Sequence, residues 1–186
     1  MVLGCGRSTS LPVMRHYLRL VDTNTTGRRN DVTPVFADAE ALGEMVRDLL
    51  APFASASFDA VAGIDALGFV LGGAMAFHAH KGFLAIRKGG KLPSESHSIS
   101  FRDYSGDDKS LSIRAGSIPQ GLRVVLVDDW VETGAQVSAA VKLVEREGGR
   151  IVGITALNID SNAVTRVLCS RYECHSLWPV GEANDA

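Results

Sequence analysis

The sequence predicts an α/β fold, a central, mostly parallel sheet flanked by helices. Three observations carry that expectation. Short aliphatic runs alternate along the chain with segments of helical periodicity, the pattern of strands joined by crossover helices. One run, "VVLVDDWVETGAQ" (124–136), passes from aliphatic residues through two acids and a Thr-Gly turn into helical sequence. The 186 residues, 46% hydrophobic and 22% charged, suffice for one domain with a full core.

The elements follow in order. Leu11, Val13, Met14, Tyr17, Leu18 and Val21 recur at helical spacing, which predicts a helix over 11–21. A polar loop, 22–31, leads to a second helix with Asp38 as N-cap, carrying Leu42, Met45, Val46, Leu49 and Leu50 and stopped by Pro52. "FDAVAGI" (58–64) is a strand, the small-residue stretch 68–80 a buried helix, and "GFLAIRK" (82–88) a second strand. Residues 89–110, rich in Gly, Ser and Asp, read as an irregular flap, after which "LSIR" (111–114) resumes as a strand. A helix over 134–147, a strand over 150–159, a short helix from Ser161 and a closing strand in "CHSLWPV" complete the alternation. The whole reads as a single domain with an N-terminal helical segment (1–57) and a flexible loop at about 88–110.

Composition excludes several function classes. A net charge of −2 gives no global field for nucleic acid or anionic lipid, so any phosphate must be bound locally. Cys5, Cys169 and Cys174 form no even framework and no Cys-x-x-Cys pair, which fits a reducing cytoplasm and argues against structural zinc. The first residues lack a signal-peptide core, and the longest uncharged stretch (66–79) falls short of the ~20 residues that span a bilayer. His78 and His80 sit two apart on a helix, poor geometry for a metal. Trp178 reads as a core aromatic or as a wall of a base site.

The chemistry concentrates at 124–136. In open α/β sheets ligands bind beyond the carboxyl ends of strands. Thr133, Gly134, Ala135 and Gln136 form a turn and a first helical residue whose amides lack intrahelical partners, a place for a phosphate. Asp128 and Asp129 would repel that phosphate at close range; they suit vicinal hydroxyls or a hydrated Mg²⁺ about one sugar ring away. Phosphate at the turn and diol at the acids describe a ribose 5-phosphate.

At this stretch the sequence resembles the phosphoribosyl pyrophosphate (PRPP) signature of the type I phosphoribosyltransferases. "FDAVAGIDALGFVLGGAMA", "FLAIRKGGKLP" and "NDVTPVFADAEAL" resemble, in order and spacing, segments of the adenine branch. The resemblance implies transfer of ribose 5-phosphate from Mg-PRPP to a purine, adenine first, with release of pyrophosphate in purine salvage. Hypoxanthine, guanine or xanthine as acceptor is the alternative, as is a non-catalytic PRPP- or nucleotide-binding regulator. The resemblance also implies a homodimer, and Mg²⁺ that arrives with PRPP and reaches Asp128 and Asp129 at most through water.

Carried over by position, Asp128, Asp129 and Glu132 are the catalytic candidates, the two aspartates on the ribose hydroxyls. Thr133, Gly134, Ala135 and Gln136 hold the 5′-phosphate, and Asp65, Ala66, Leu67 and Gly68 form the pyrophosphate loop. Arg87, Lys88 and Lys91 lie near the pyrophosphate or the flexible loop, and Arg29 falls where adenine enzymes stack an aromatic residue on the base. The sequence departs from the family at four of these positions. Leu67 replaces an arginine, and Gln136 replaces Thr or Ser but keeps an amide able to reach a phosphate. Glu132 replaces an alanine, either to exchange a proton with the purine N7 or as a helix-N-terminal acid. Arg29 can itself stack on a purine. For the acid of the flexible loop, Asp103, Asp107 and Asp108 are all candidates.

Overall fold

A computed structural model describes residues 15–26, 29–102 and 106–178. The chain divides into two compact units with the boundary after Met45. In the first, the helix expected over 11–21 is a single 3-10 turn, His16–Arg19, within the described residues; 11–14 lie outside them. Asp22 and Asp31 exchange both backbone hydrogen bonds in an antiparallel bridge, which draws the chain out of its helical path at Val21. The unit also holds a short helix the spacing does not predict, α1 (Thr33–Ala37), with proline in its first turn. α2 (Ala39–Leu50) starts as expected, because Asp38 Oδ1 accepts from the amides of Glu40 and Ala41 at 3.0 and 2.8 Å. Ala41, Met45 and Leu49, four apart, form its buried stripe. Pro52 lies in the 3-10 turn Ala51–Phe53 that follows.

The second unit carries a seven-stranded sheet. Its strands are β1 (Ala60–Ile64), β2 (Gly82–Lys88), β3 (Ser96–Arg102), β4 (Asp108–Arg114), β5 (Arg123–Val131), β6 (Arg150–Ile159) and β7 (Glu173–Ser176). The order is β3-β4-β2-β1-β5-β6-β7, parallel from β2 through β7 and antiparallel where β4 meets β2 and β3. Three helices serve it: α3 (Leu67–Ala79), α4 (Ala135–Arg146) and α5 (Ala163–Arg171).

All five residues of β1 are buried because helices cover both faces. Ala62, Ile64 and Leu126 join α4 side chains Val137, Ala140, Val141 and Val144 in one core. Gly63, one residue out of phase, faces α3. A Cβ there would lie 2.1 Å from the Gly68 carbonyl oxygen, and one on Gly72 2.8 Å from the Phe83 ring, so the glycines let α3 sit directly on the sheet.

The expected flap is the main correction. Much of the stretch read as irregular pairs as antiparallel strands, from Ser96 opposite Arg114 to Arg102 opposite Asp108. Its alternation was hidden in a Ser-rich composition: His97, Ile99 and Phe101 point inward while Ser98, Ser100 and Arg102 are exposed. Ile99 and Phe101 pack on the core, and His97 Nδ1 meets Glu147 Oε1, just past α4, at 2.6 Å. Asp103 lies outside the described residues.

The short helix begins at Ala163 rather than Ser161, because Asn162 is the N-cap of a reciprocal capping box with Thr165. The closing strand ends at Ser176, earlier than expected. Among the described residues no helix is long and apolar enough to cross a membrane.

Candidate active site

Three adjacent parallel strands, β2, β1 and β5, end on the same edge of the sheet, and nearly all the sequence-predicted site residues lie in their last residues or just beyond them. β1 runs into Asp65 and Ala66, and α3 starts at Leu67. Ala66 caps this helix without a side-chain hydrogen bond; the Phe69 amide donates to the Ala66 carbonyl at 3.0 Å, and the start of the helix offers a place for an anion. Leu67 is half-buried in the first turn and adds nothing polar.

β2 brings cations to the same edge. Lys91 Nζ stands 3.8 Å from Asp65 Oδ2, and Arg87 Nη1 donates to the Lys91 carbonyl at 3.2 Å. Arg87 Nε is buried without a hydrogen-bond partner. Arg87, Lys91 and Asp65 therefore converge, whereas Lys88, the next residue of the strand, projects to its other face.

β5 supplies the acids. Asp128 is only 3% exposed; Asp129, beside it, is half-buried. Asp128 Oδ1 accepts from the Asp129 amide at 3.0 Å, and Oδ2 accepts from Gln136 Nε2 at 2.8 Å. Burial first, then the adjacent Asp129 charge, pushes the Asp128 carboxyl well above the usual carboxylate range; the Gln136 and Asp129 amides pull against that. The two acids thus differ in accessibility, and the Gln136 side chain expected near the phosphate meets the acid pair in this structure. The amide is engaged by Asp128, and Asp129 is the more accessible acid.

The turn after β5 is built as the motif predicts. Gly134 adopts φ +78° as the N-cap of α4, again without a side-chain cap, and Thr133 Oγ1 accepts from the Ala135 amide at 3.3 Å. α5 supports the turn from behind. Asn162 Nδ2 donates to the Glu132 carbonyl at 2.7 Å, and a Cβ on Gly134 would meet Val164 Cγ1 at 3.0 Å and Thr165 Cγ2 at 3.1 Å. Sequence reasoning missed this support; the signal was present in "NAVT", a cap followed by a hydroxyl at the third helical position. Glu132 is half-buried at the head of the turn.

The start of α3 and the acids of β5 meet at Gly68, where a Cβ would lie 3.0 Å from the Val127 carbonyl and 3.3 Å from Asp128 Oδ1. Trp130 is buried, and its ring lies 6.1 Å from that of Trp178. Arg29 belongs to the first unit, where it is exposed and its carbonyl accepts from Thr25 Oγ1. Among the described residues no three His, Cys, Asp or Glu side chains converge as a metal site. A cavity of about 430 Å³ lined by Arg47, Phe58, His78 and Lys81 opens near the opposite ends of β1 and β2, away from these groups. Helix N-termini after β1 and β5, neither capped by its N-cap side chain and with an acid pair between them, form a frame for a ligand carrying phosphates at both ends and hydroxyls between.

The phosphoribosyl transferase domain family matches residues 35–174. An adenine phosphoribosyltransferase of Cereibacter sphaeroides is 42% identical over 142 residues, 75% of this chain and 79% of that protein. Among solved structures, adenine phosphoribosyltransferase from Rhodothermus marinus superposes with a TM-score of 0.76 at 30% identity, over 87% of this chain and 94% of that one. The Giardia lamblia enzyme, solved with 9-deazaadenine, gives 0.76 at 25% identity over the same shares.

Proposed function

This chain belongs to the phosphoribosyltransferase family, and from that premise we propose that it transfers ribose 5-phosphate from Mg-PRPP to adenine, releasing pyrophosphate and AMP. It is a PRPP-dependent pentosyltransferase of purine salvage. The observation that carries the substrate reading is the convergence of two uncapped helix N-termini, at Leu67 and Ala135, on either side of Asp128 and Asp129. Adenine is supported by the named relatives and by the adenine analogue in the Giardia structure.

Each end of PRPP has its place. The amides of Gly134 and Gln136 take the 5′-phosphate, and Thr133 orients the turn through the Ala135 amide. The first amides of α3, with Arg87 and Lys91, take the pyrophosphate, and Leu67 leaves that work to backbone and neighbouring cations. Breaking the anomeric bond puts positive charge on the ribose and negative charge on the leaving group. Asp129, presented by the buried Asp128, faces the first; the α3 amides and the cations face the second. Mg²⁺ bound to the pyrophosphate neutralises leaving-group charge. Glu132, at the head of the turn, is the proton acceptor for purine N7. Held orientation supplies the remainder of the rate.

Incubating the protein with Mg-PRPP and each purine in turn, and measuring pyrophosphate, tests this directly. Release with adenine alone is expected. Release only with hypoxanthine, guanine or xanthine moves the assignment to the 6-oxopurine group, and tight Mg-PRPP binding without release makes the protein a PRPP sensor. Leu67→Arg adds a charge-assisted partner for the pyrophosphate and is expected to tighten pyrophosphate about tenfold, measured as product inhibition or by calorimetry. Unchanged affinity would place the pyrophosphate away from α3.

The protein acts in the cytoplasm as a homodimer joined through α3. This helix is apolar all round, and on one outward face Val70 and Phe77 are 41% and 84% exposed with Gly73 between them. Light scattering is expected to give a dimer that Phe77→Asp converts to monomer. A monomeric wild type sinks the idea.

A further inference from the structure

We propose that Gln136 is a positioning residue for Asp128, not a ligand of the 5′-phosphate, and that it thereby couples the phosphate turn to the acid pair. This rests on the phosphoribosyltransferase reading and deepens it. Gln136 is the second residue of α4, and side chains on a helix lean back towards its N-terminus. Its amide therefore returns over the turn to the end of β5, where Nε2 donates to Asp128 Oδ2 at 2.8 Å. A Thr or Ser hydroxyl at 136 stops at the β-carbon and stays beside the helix amides, where a phosphate would sit. The longer side chain reaches past that point to the acid.

Asp128 stands at a junction. Oδ1 takes the Asp129 amide and lies beside Gly68 at the start of α3, and Oδ2 takes Gln136 from the start of α4. The two helix ends that frame the ligand are thus joined through one buried carboxylate. A buried carboxylate without its donors is costly, so the hydrogen bond holds Asp128 in one rotamer and favours its ionised form. With Asp128 fixed and almost wholly inaccessible, the more accessible Asp129 makes the direct contact with the sugar, and Asp128 governs how Asp129 and the turn are presented.

The test is a binding cycle by calorimetry with Mg-PRPP and, separately, inorganic phosphate, using wild type, Gln136→Leu, Gln136→Thr, Asp128→Ala and the Leu/Ala double variant. Gln136→Leu is expected to weaken Mg-PRPP about tenfold in the wild-type background and less than about twofold beside Asp128→Ala, since interacting residues are not additive. Inorganic phosphate affinity should be unchanged, and Gln136→Thr should behave as Gln136→Leu. Losses that multiply in the double variant overturn the proposal. So do a parallel loss of phosphate affinity, recovery by Thr, or no effect of Gln136→Leu. Should Asp128→Ala fail to fold, the phosphate and Gln136→Thr arms decide the matter unaided. Pyrophosphate release is followed in parallel: its absence from wild type would remove the enzymatic reading and leave the binding cycle to decide Gln136.

Discussion

Changing Asp128 and Asp129 together to asparagine is expected to lower the affinity for Mg-PRPP by about 10²- to 10⁴-fold, the sum of the Asp129 contact with the sugar and the Asp128 hydrogen bonding that presents it, at about 1.5–3 kcal/mol each. Pyrophosphate release should fall with it. The same variant carries a stability signature. The folded state raises the Asp128 pKa above its unfolded value, through burial and the Asp129 charge. Such a group contributes stability that is fully present below the unfolded pKa of about 4 and is lost as pH rises through the folded value. Asparagine has no such dependence. The stability of the variant relative to wild type, from urea unfolding without ligand, should therefore be greatest near neutral pH and decline as pH falls towards about 4. A difference independent of pH would mean that Asp128 is not a buried, titrating acid. Unchanged PRPP affinity would remove the acids from the site.

Much of this site was legible in the sequence because it depends on backbone. An aliphatic strand, a turn with glycine at positive φ and a helix fix where amides point, and those are the features that local spacing encodes. β2 and β6 were read at their observed bounds for the same reason. What the sequence hid depends on long-range packing. The hairpin β3–β4 was obscured by its serines, since burial of Ile99 and Phe101 on the core decides its strand character. Spacing alone made Asp128 and Asp129 equal. Their difference comes from the position of Gln136 at the start of α4 and from the closeness of Gly68, neither of which a motif records. The helix expected at 11–21 shows the converse, a sound periodicity cut short by the bridge between Asp22 and Asp31.

Gly63→Ala is expected to be among the most damaging single changes, although it adds one methyl far from any charge. In β1 this residue faces the first turn of α3, and a Cβ would lie 2.1 Å from the Gly68 carbonyl oxygen, 2.8 Å from its carbon and 3.0 Å from Phe83 Cε2. The first two are backbone atoms, so no side-chain rotation relieves them; the start of α3 must lift. Overpacking a core costs about 1–3 kcal/mol, and a backbone neighbour places this case at the upper end. For a chain of this length that corresponds to a fall in Tm of roughly 6–12 °C. The helix end that moves is the one assigned to the pyrophosphate, while the α4 turn rests on α5 through Asn162 and Gly134. Pyrophosphate affinity should thus fall at least about tenfold and ribose 5-phosphate affinity less than about twofold, a split that general unfolding cannot produce. Gly73→Ala, measured in the monomeric Phe77→Asp background, is the control: it lies on the same helix with nothing within 4 Å of its added Cβ. Alanine there should be neutral or stabilising by up to about 1 kcal/mol, because glycine inside a helix loses more backbone entropy on folding. A Gly63→Ala protein as stable as wild type would show that α3 does not need this close approach. Equal losses of both ligands would show that the two phosphate sites are not independently supported.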